Sequence, residues 1–334
     1  MQTSPKSRVI LHIGGAKCGS SAIQAYLAQN VASLAQRGVG VPGTALDFRS
    51  DVTGEQIWFF EDAASACDDD ALVARLRARI SDAFARDIST LIISAENICN
   101  HPRLAQFMAA ALGEYDCTVM FYVRRQDDFL ISSWQQWNLK RFASVEDFLK
   151  ARAGKDARWL QMIKPWAEAF GDDRICVRPF VRSELVNGDV VDDFFAAIGV
   201  SQDGLDRLRR NANPSFDEAL ASLAHRARDV FDGPHDNRFY EAMVRLLGEA
   251  ALKKGSASSL MSLETRREIL ELYNDENAAL KARFMAGDPN IPLFSPPMPK
   301  DVLDRSELDR MSEDMAMLTR AVFALATRLE GGNA

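Results

Sequence analysis

A chain of 334 residues and 37.1 kDa is long for one minimal domain and short for three, so it reads as one large elaborated domain or two. Hydrophobic residues at 47%, charged residues at 26%, and only 19 Gly and 12 Pro exclude disordered, collagenous and low-complexity classes. With 40 Lys and Arg against 47 Asp and Glu the formal charge is -7, which excludes a broad electrostatic grip on nucleic acid and leaves any anion to a local site.

The chain opens MQTSPKSRVILHIGG, where basic residues precede an apolar run of about five residues, too short for a signal-peptide core or a membrane span. Residues 9–13 (VILHI), 90–95 (TLIISA), 118–124 (TVMFYVR) and 174–180 (RICVRPF) are near-continuous apolar and β-branched runs, predicting strands buried on both faces. Between the first two, Ile23, Tyr26, Leu27, Val31 and Leu34 form one stripe of a helix over 21–36 that Gly38 closes. Such alternation predicts a three-layer α/β/α fold with a mostly parallel central sheet, whose ligands sit at the carboxyl ends of its strands. From about residue 213 the strand pattern stops, and helices are expected over 216–232, 237–254 and 262–284. A Pro-rich break at 289–299 then leads into a last helix at 306–329. We therefore expect an α/β core over 8–215 and, over 216–334, a helical C-terminal extension of the same domain, packed on it. Cys18, Cys67, Cys99, Cys117 and Cys176 lack CxxC spacing and nearby His pairs. They point away from a disulfide framework and a structural zinc, and toward a reducing, cytoplasmic setting.

Directly after the first strand comes GGAKCGSSAIQ, Gly14 to Gln24. Glycines at a strand-to-helix turn let the backbone approach an anion closely, and the amides and dipole at the helix start favour negative charge. Ser20 and Ser21 add hydroxyl donors, Lys17 adds a point charge, and no Asp or Glu occurs from 14 to 37. The loop is not the GxxxxGK[ST] phosphate loop, since Lys17 precedes Gly19, and the strand at 118–124 runs into Arg124 and Arg125 rather than an Asp. Both absences weigh against a magnesium-dependent kinase or ATPase. An ordinary glycine turn is the bland alternative. In FYVRRQDDFLISSWQQW, residues 121–137, a helix beginning near Gln126 places Asp127 and Asp128 in its first turn. Ser132 then falls in the second turn, where it can face the same phosphate as Arg124.

Together the two segments resemble the sulfotransferases that use 3'-phosphoadenosine 5'-phosphosulfate (PAPS), especially their bacterial branch. The first loop is similar to that family's HIGxxKTGSS, and Arg124, Asp128 and Ser132 are similar to its RxxxDxxxS. The stretch over 166–200, with its Arg-Pro-aromatic triplet before a helix, also looks like that branch, so the likeness covers about residues 8 to 220. It implies a P-loop NTPase-like fold. It also implies that Gly15, Ala16, Lys17, Cys18, Gly19, Ser20 and Ser21 wrap the 5'-phosphosulfate, that Arg124 and Ser132 bind the 3'-phosphate, and that the product is adenosine 3',5'-bisphosphate (PAP). Cys18 stands where Ser or Thr is usual, replacing a hydroxyl by a weak thiol donor, and Ala16 is smaller than is common there. Arg209, Arg210, Asn211 and Asn213 would form a basic loop over the 3'-phosphate.

In that family a His or Glu after a central strand deprotonates the acceptor hydroxyl, which assigns the base to Glu96 with His101 next. Lys17 would stabilise the bridging oxygen of the leaving group, and no metal is required. His12 reads as a packed core residue, and His225 and His235 as a surface helix and a loop. Trp58, Phe59, Phe60, Trp134 and Trp137 suit either stacking or core packing. The expected activity is sulfuryl transfer to a hydroxyl, on a carbohydrate or glycolipid. Its rivals are a nucleotide-dependent phosphotransferase and a non-catalytic nucleotide-binding protein. In the last helix Met311, Met315, Leu318, Val322, Leu325 and Leu329, spaced 4, 3, 4, 3, 4, form a heptad-like seam. That seam docks on its own domain, pairs with a second copy in a homodimer, or closes over the acceptor site.

Overall fold

The computed structural model describes residues 7–65, 68–208, 218–248, 258–288 and 290–331. In chain order its elements are β1 (Arg8–His12), α1 (Ser20–Gln29), α2 (Val31–Ala35), β2 (Val39–Gly40), α3 (Ile57–Ser65), α4 (Asp69–Phe84), β3 (Thr90–Ser94) and α5 (Pro102–Leu112). There follow β4 (Asp116–Val123), α6 (Gln126–Gln136), α7 (Val145–Arg152), α8 (Trp159–Phe170), β5 (Ile175–Pro179) and α9 (Val190–Ile198). The later helices are α10 (Glu218–Arg226), α11 (Arg238–Leu247), α12 (Leu263–Glu271), α13 (Asn274–Phe284) and α14 (Glu307–Gly331). The described residues divide into two compact units, one drawn from Met1–Arg125, Arg158–Asn213 and Asn274–Phe294, the other from Gln126–Ala157, Pro214–Tyr273 and Ser295–Ala334.

The first unit is an α/β fold around a five-stranded, wholly parallel sheet of order β2-β3-β1-β4-β5. The four expected strands are present within two residues of their predicted ends, and β1 lies at the centre, in register Ile10↔Ile92 with β3 and Ile10↔Thr118 with β4. Their continuous apolar character follows from burial on both faces: Val9, Ile10, Leu11, Ile92, Ile93 and Val119 through Val123 have essentially no exposed surface. Two rows of helices flank the sheet, α4, α5, α8 and α13 packing side by side and α1 packing on α9. The resulting layers match the P-loop-like fold that the sequence implies. The edge strand β2 escaped prediction because two residues carry no periodicity. The helix expected over 21–36 is interrupted at Asn30, whose Nδ2 donates to the carbonyls of Tyr26 and Asp206 (both 3.0 Å) while its Oδ1 accepts the Asp206 amide (2.8 Å).

A buried ionic cluster fastens the far side of this sheet. Arg178 donates twice to the Asp193 carboxylate (2.5 and 2.6 Å), and Tyr122 donates to the same group at 2.8 Å. Burial alone would raise the Asp193 pKa, but these bonds hold it below the usual carboxylate range.

The second unit is helical. Arg266 of α12, fully buried, donates to Asp127 (2.8 Å) and Asp128 (2.9 Å) in the first turn of α6. His225 on α10 lies 2.7 Å from the Leu139 carbonyl and 3.1 Å from that of Ala143, so it holds a loop instead of reading as a free surface residue. Helix α14 packs on α10 and α11 through Asp314, Met317 and Ala321, with Asp314 accepting from Ser222 (2.6 Å) and Arg226 (3.2 Å). The heptad-like seam is a different face of α14, and all six of its residues are exposed. Among the described residues no helix is long and apolar enough to cross a membrane.

Candidate active site

The carboxyl ends of β1, β3 and β4 converge in the first unit. After β1 the chain turns through Gly14 (φ 51°) and reaches α1 at Gly19 (φ 88°), a left-handed residue without a Cβ penalty. Gly15 is required for space: a Cβ there would lie 2.9 Å from the Tyr122 carbonyl oxygen on β4. Lys17 itself takes a left-handed conformation (φ 62°), one that a non-glycine residue adopts only when its surroundings impose it. Helix α1 begins with no side-chain cap and no acidic residue in its first turn, so its first amides and its dipole are left to an anion. The Ser20 hydroxyl is buried without a hydrogen-bond partner among the described residues. Ser21, Ala16 and Lys17 are half-buried.

Arg124, just past β4, supports this loop from below. Its Nη1 donates to the Lys17 carbonyl at 3.1 Å, its guanidinium lies 5.9 Å from the centre of the Phe180 ring, and its own carbonyl accepts from Trp159 Nε1 at 2.8 Å. Burial, and then repulsion from Arg124, lower the Lys17 pKa to about 8, while attraction to Glu96 opposes the fall. Cys18 is fully buried, its thiol directed at the Ala16 carbonyl (3.4 Å), and burial pushes its pKa up to about 12. It is therefore a neutral packing residue of the loop.

Glu96 follows β3 and is stitched to the glycine loop through the backbone. The Ala95 amide donates to His12 (3.0 Å), the Asn97 amide to Gly14 (3.3 Å) and the Cys99 amide to Ile13 (3.3 Å). The Glu96 amide donates to Glu55 Oε1 at 2.8 Å. Burial first, then the neighbouring Glu55, raise the Glu96 pKa above the usual carboxylate value, with Lys17 pulling the other way. Glu96 and His101 line one cavity of 460 Å³, together with Glu55, Phe60 and Leu104. The two candidate bases thus face the same space.

Lys17, Glu96 and Arg124 are brought together in the first unit. Ser132 belongs to the second unit, half-buried on the second turn of α6, and Asp128 of the same motif is engaged by Arg266. Arg209, Arg210, Asn211, Asn213 and Cys67 lie outside the described residues. His12 is the packed core residue expected, with Nδ1 2.9 Å from Ser94 Oγ. Phe59, Phe60 and Trp134 are buried and Trp58 is exposed, so packing accounts for most of the aromatics weighed earlier. Reading the sequence missed Glu55, Trp159 and Phe180. Glu55 and Trp159 carry no spacing signal, whereas Phe180, in the Arg-Pro-aromatic triplet, could have been found.

No family model matches the chain. A protein of Archaeoglobus fulgidus, described as uncharacterized, is 23% identical over 245 residues, which is 69% of this chain and 66% of the relative, just under two thirds of its length. Among solved structures, a sulfotransferase from Alicyclobacillus acidocaldarius aligns at 18% identity and a TM-score of 0.36, over 68% of this chain and 94% of that one.

Proposed function

We propose that the chain transfers a sulfuryl group from PAPS to the hydroxyl of a carbohydrate or glycolipid. The observation that carries this reading is the convergence of two cations, Lys17 and Arg124, and a carboxylate of raised proton affinity, Glu96, around an uncapped glycine-loop helix start. The loop from Gly15 to Ser21 cradles the 5'-phosphosulfate, with Ser20 and Ser21 at the helix start, while Arg124 holds the 3'-phosphate. Glu96 takes the proton of the acceptor hydroxyl as its oxygen attacks sulfur in line. The bond from sulfur to the 5'-phosphate oxygen breaks, and PAP leaves with its new charge neutralised by Lys17. Glu96 suits this role because burial and Glu55 bring its proton affinity closer to neutrality than an exposed carboxylate's.

Calorimetry with PAP and with ATP plus magnesium tests the donor, and a labelled sulfate donor offered with a panel of hydroxylated glycans tests the transfer. The reading expects PAP to bind, magnesium ATP not to, and label to appear in a glycan product. Binding of magnesium ATP in preference to PAP would replace it with phosphoryl transfer, and PAP binding with no labelled product from any acceptor would leave a nucleotide-binding protein.

A further inference from the structure

The carboxyl end of β3 runs past its neighbour. Strand β2 stops at Gly40, level with Leu91, whereas β3 continues to Ser94 and the chain reaches Glu96 just beyond. Successive amides of a strand turn to opposite neighbours. The Ala95 amide turns to β1, donating to His12, so those of Ser94 and Glu96 turn to the side that β2 has left. Amides at this depth need acceptors, and two successive side chains supply them. Gln56 Oε1 accepts the Ser94 amide at 2.7 Å, and Glu55 Oε1 accepts the Glu96 amide at 2.8 Å. The segment that carries them is itself pinned. The Gln56 amide donates to the Ser94 carbonyl at 3.0 Å, and its Nε2 donates to the Pro42 carbonyl at 2.8 Å. Gly54 (φ 78°) lets the same segment lie directly on α1, since a Cβ there would stand 2.0 Å from the Gln24 carbonyl oxygen. Gln24 adds a tie from α1 to the strand end, donating through Nε2 to Ser94 Oγ at 3.2 Å.

Gln56 and Glu55 do the same work on the backbone but differ in charge. Gln56 is fully buried and neutral, as suits a purely structural acceptor. Glu55 is half-buried and lines the 460 Å³ cavity with Glu96, so a second carboxylate stands beside the first. A neutral acceptor at position 55 would bond the Glu96 amide as well, without the repulsion. The carboxylate therefore does something that the backbone bond alone does not require. A like charge beside Glu96 favours its protonated form, which makes it a stronger base once it is ionised. The other titratable groups around this pair are Glu61 and His101, which line the same cavity, and Lys17, which acts on Glu96 from the glycine loop.

We propose, resting on the sulfuryl-transfer reading in which Glu96 is the base, that Glu55 is the positioning residue of this site: it acts through Glu96, fixing the strand end that carries the base and setting a like charge beside it. Two variants separate these actions. Glu55→Gln keeps an acceptor for the Glu96 amide and removes the charge, whereas Glu55→Ala removes both. With PAPS and the glycan that takes up label, Glu55→Ala should lower kcat by about 10²-fold at unchanged PAP affinity, as a misplaced base would. Glu55→Gln should keep kcat within about tenfold of the wild type and move the acid limb of its pH profile to lower pH. Two further measurements need no acceptor. Hydrogen exchange of the Glu96 amide should accelerate by at least about tenfold in Glu55→Ala and stay slow in Glu55→Gln. Carboxyl-carbon NMR should show Glu96 titrating at lower pH in Glu55→Gln, which decides the matter even where Glu55→Ala fails to fold. Unchanged kcat and exchange in Glu55→Ala overturn the proposal, and so does an unmoved Glu96 titration in Glu55→Gln. A wild type that labels no glycan overturns the sulfuryl-transfer reading instead, while exchange and titration still decide whether Glu55 governs Glu96.

Discussion

Lys17 and Glu96 act on each other's charge, and Arg124 acts on that of Lys17, so the proposed chemistry should carry a pH signature of its own. Anion binding favours protonated Lys17, and burial beside Arg124 has brought its pKa down to about 8. PAP affinity is therefore full below that pH and falls as pH rises through it, by up to about tenfold per pH unit, because one proton must then be taken up on binding. Calorimetry across that range checks this, and Lys17→Arg, which keeps its charge, should remove the inflection; the same slope in that variant would assign it elsewhere. Glu96 acts as base only when ionised, so turnover should rise with pH through its raised pKa and fall again as Lys17 loses its proton. Glu96→Gln should lower turnover by about 10²-fold with PAP affinity unchanged. A near-normal rate would move the base to His101, which lines the same cavity.

At the level of elements, the glycine loop depends on how closely β1 and β4 approach it. Gly15→Ala puts a Cβ 2.9 Å from a backbone oxygen that cannot swing aside, so the loop must shift. A loss of about 1–3 kcal/mol in thermal or urea unfolding is expected, with weakened PAP binding. Helix α6 depends on Arg266 in a different way. Arg266→Met removes a fully buried cation that donates to both Asp127 and Asp128, and should cost about 3–5 kcal/mol. Unfolding midpoints measure both, and a near-neutral Arg266→Met would mean the carboxylates have other adequate partners. The four long strands, the glycine loop and the start of α6 were legible in the sequence because each announces itself locally, through continuous apolar runs, clustered glycines or acidic residues at a helix start. Glu55 and Arg266 were not, since each acts on a group far away in sequence and follows no period. Periodicity also misjudged the α14 seam in one respect. It detects apolar spacing but cannot say which of two apolar faces turns inward, and Met317 and Ala321, not the more regular seam, are the residues that dock.

For the molecule as a whole, the centre of the sheet makes stability sensitive to acid. His12 is buried between the rings of Tyr122 and Phe194, one ring nitrogen unpartnered among the described residues, and burial lowers its pKa to about 4. The unfolded chain takes up this proton near pH 6.5 and the folded chain refuses it until about 4. Its contribution is thus complete above 6.5, lost progressively between those values, and exhausted below 4. Glu55 and Glu96 act in the opposite sense, because their raised values let the folded chain bind protons first. Comparing urea midpoints of the wild type and His12→Asn at descending pH isolates the histidine, for which a differential loss on the order of 2–3 kcal/mol is expected. Parallel curves for the two proteins would rule out His12 as the source. The same sheet has margins of unequal kind: on one side β2 is two residues long, and on the other β5 ends in Pro179, which has no amide hydrogen to donate. A foreign strand arriving at either margin finds few rungs to complete, so the sheet is poorly suited to template fibrils even though its interior strands are as apolar as those of any amyloid core.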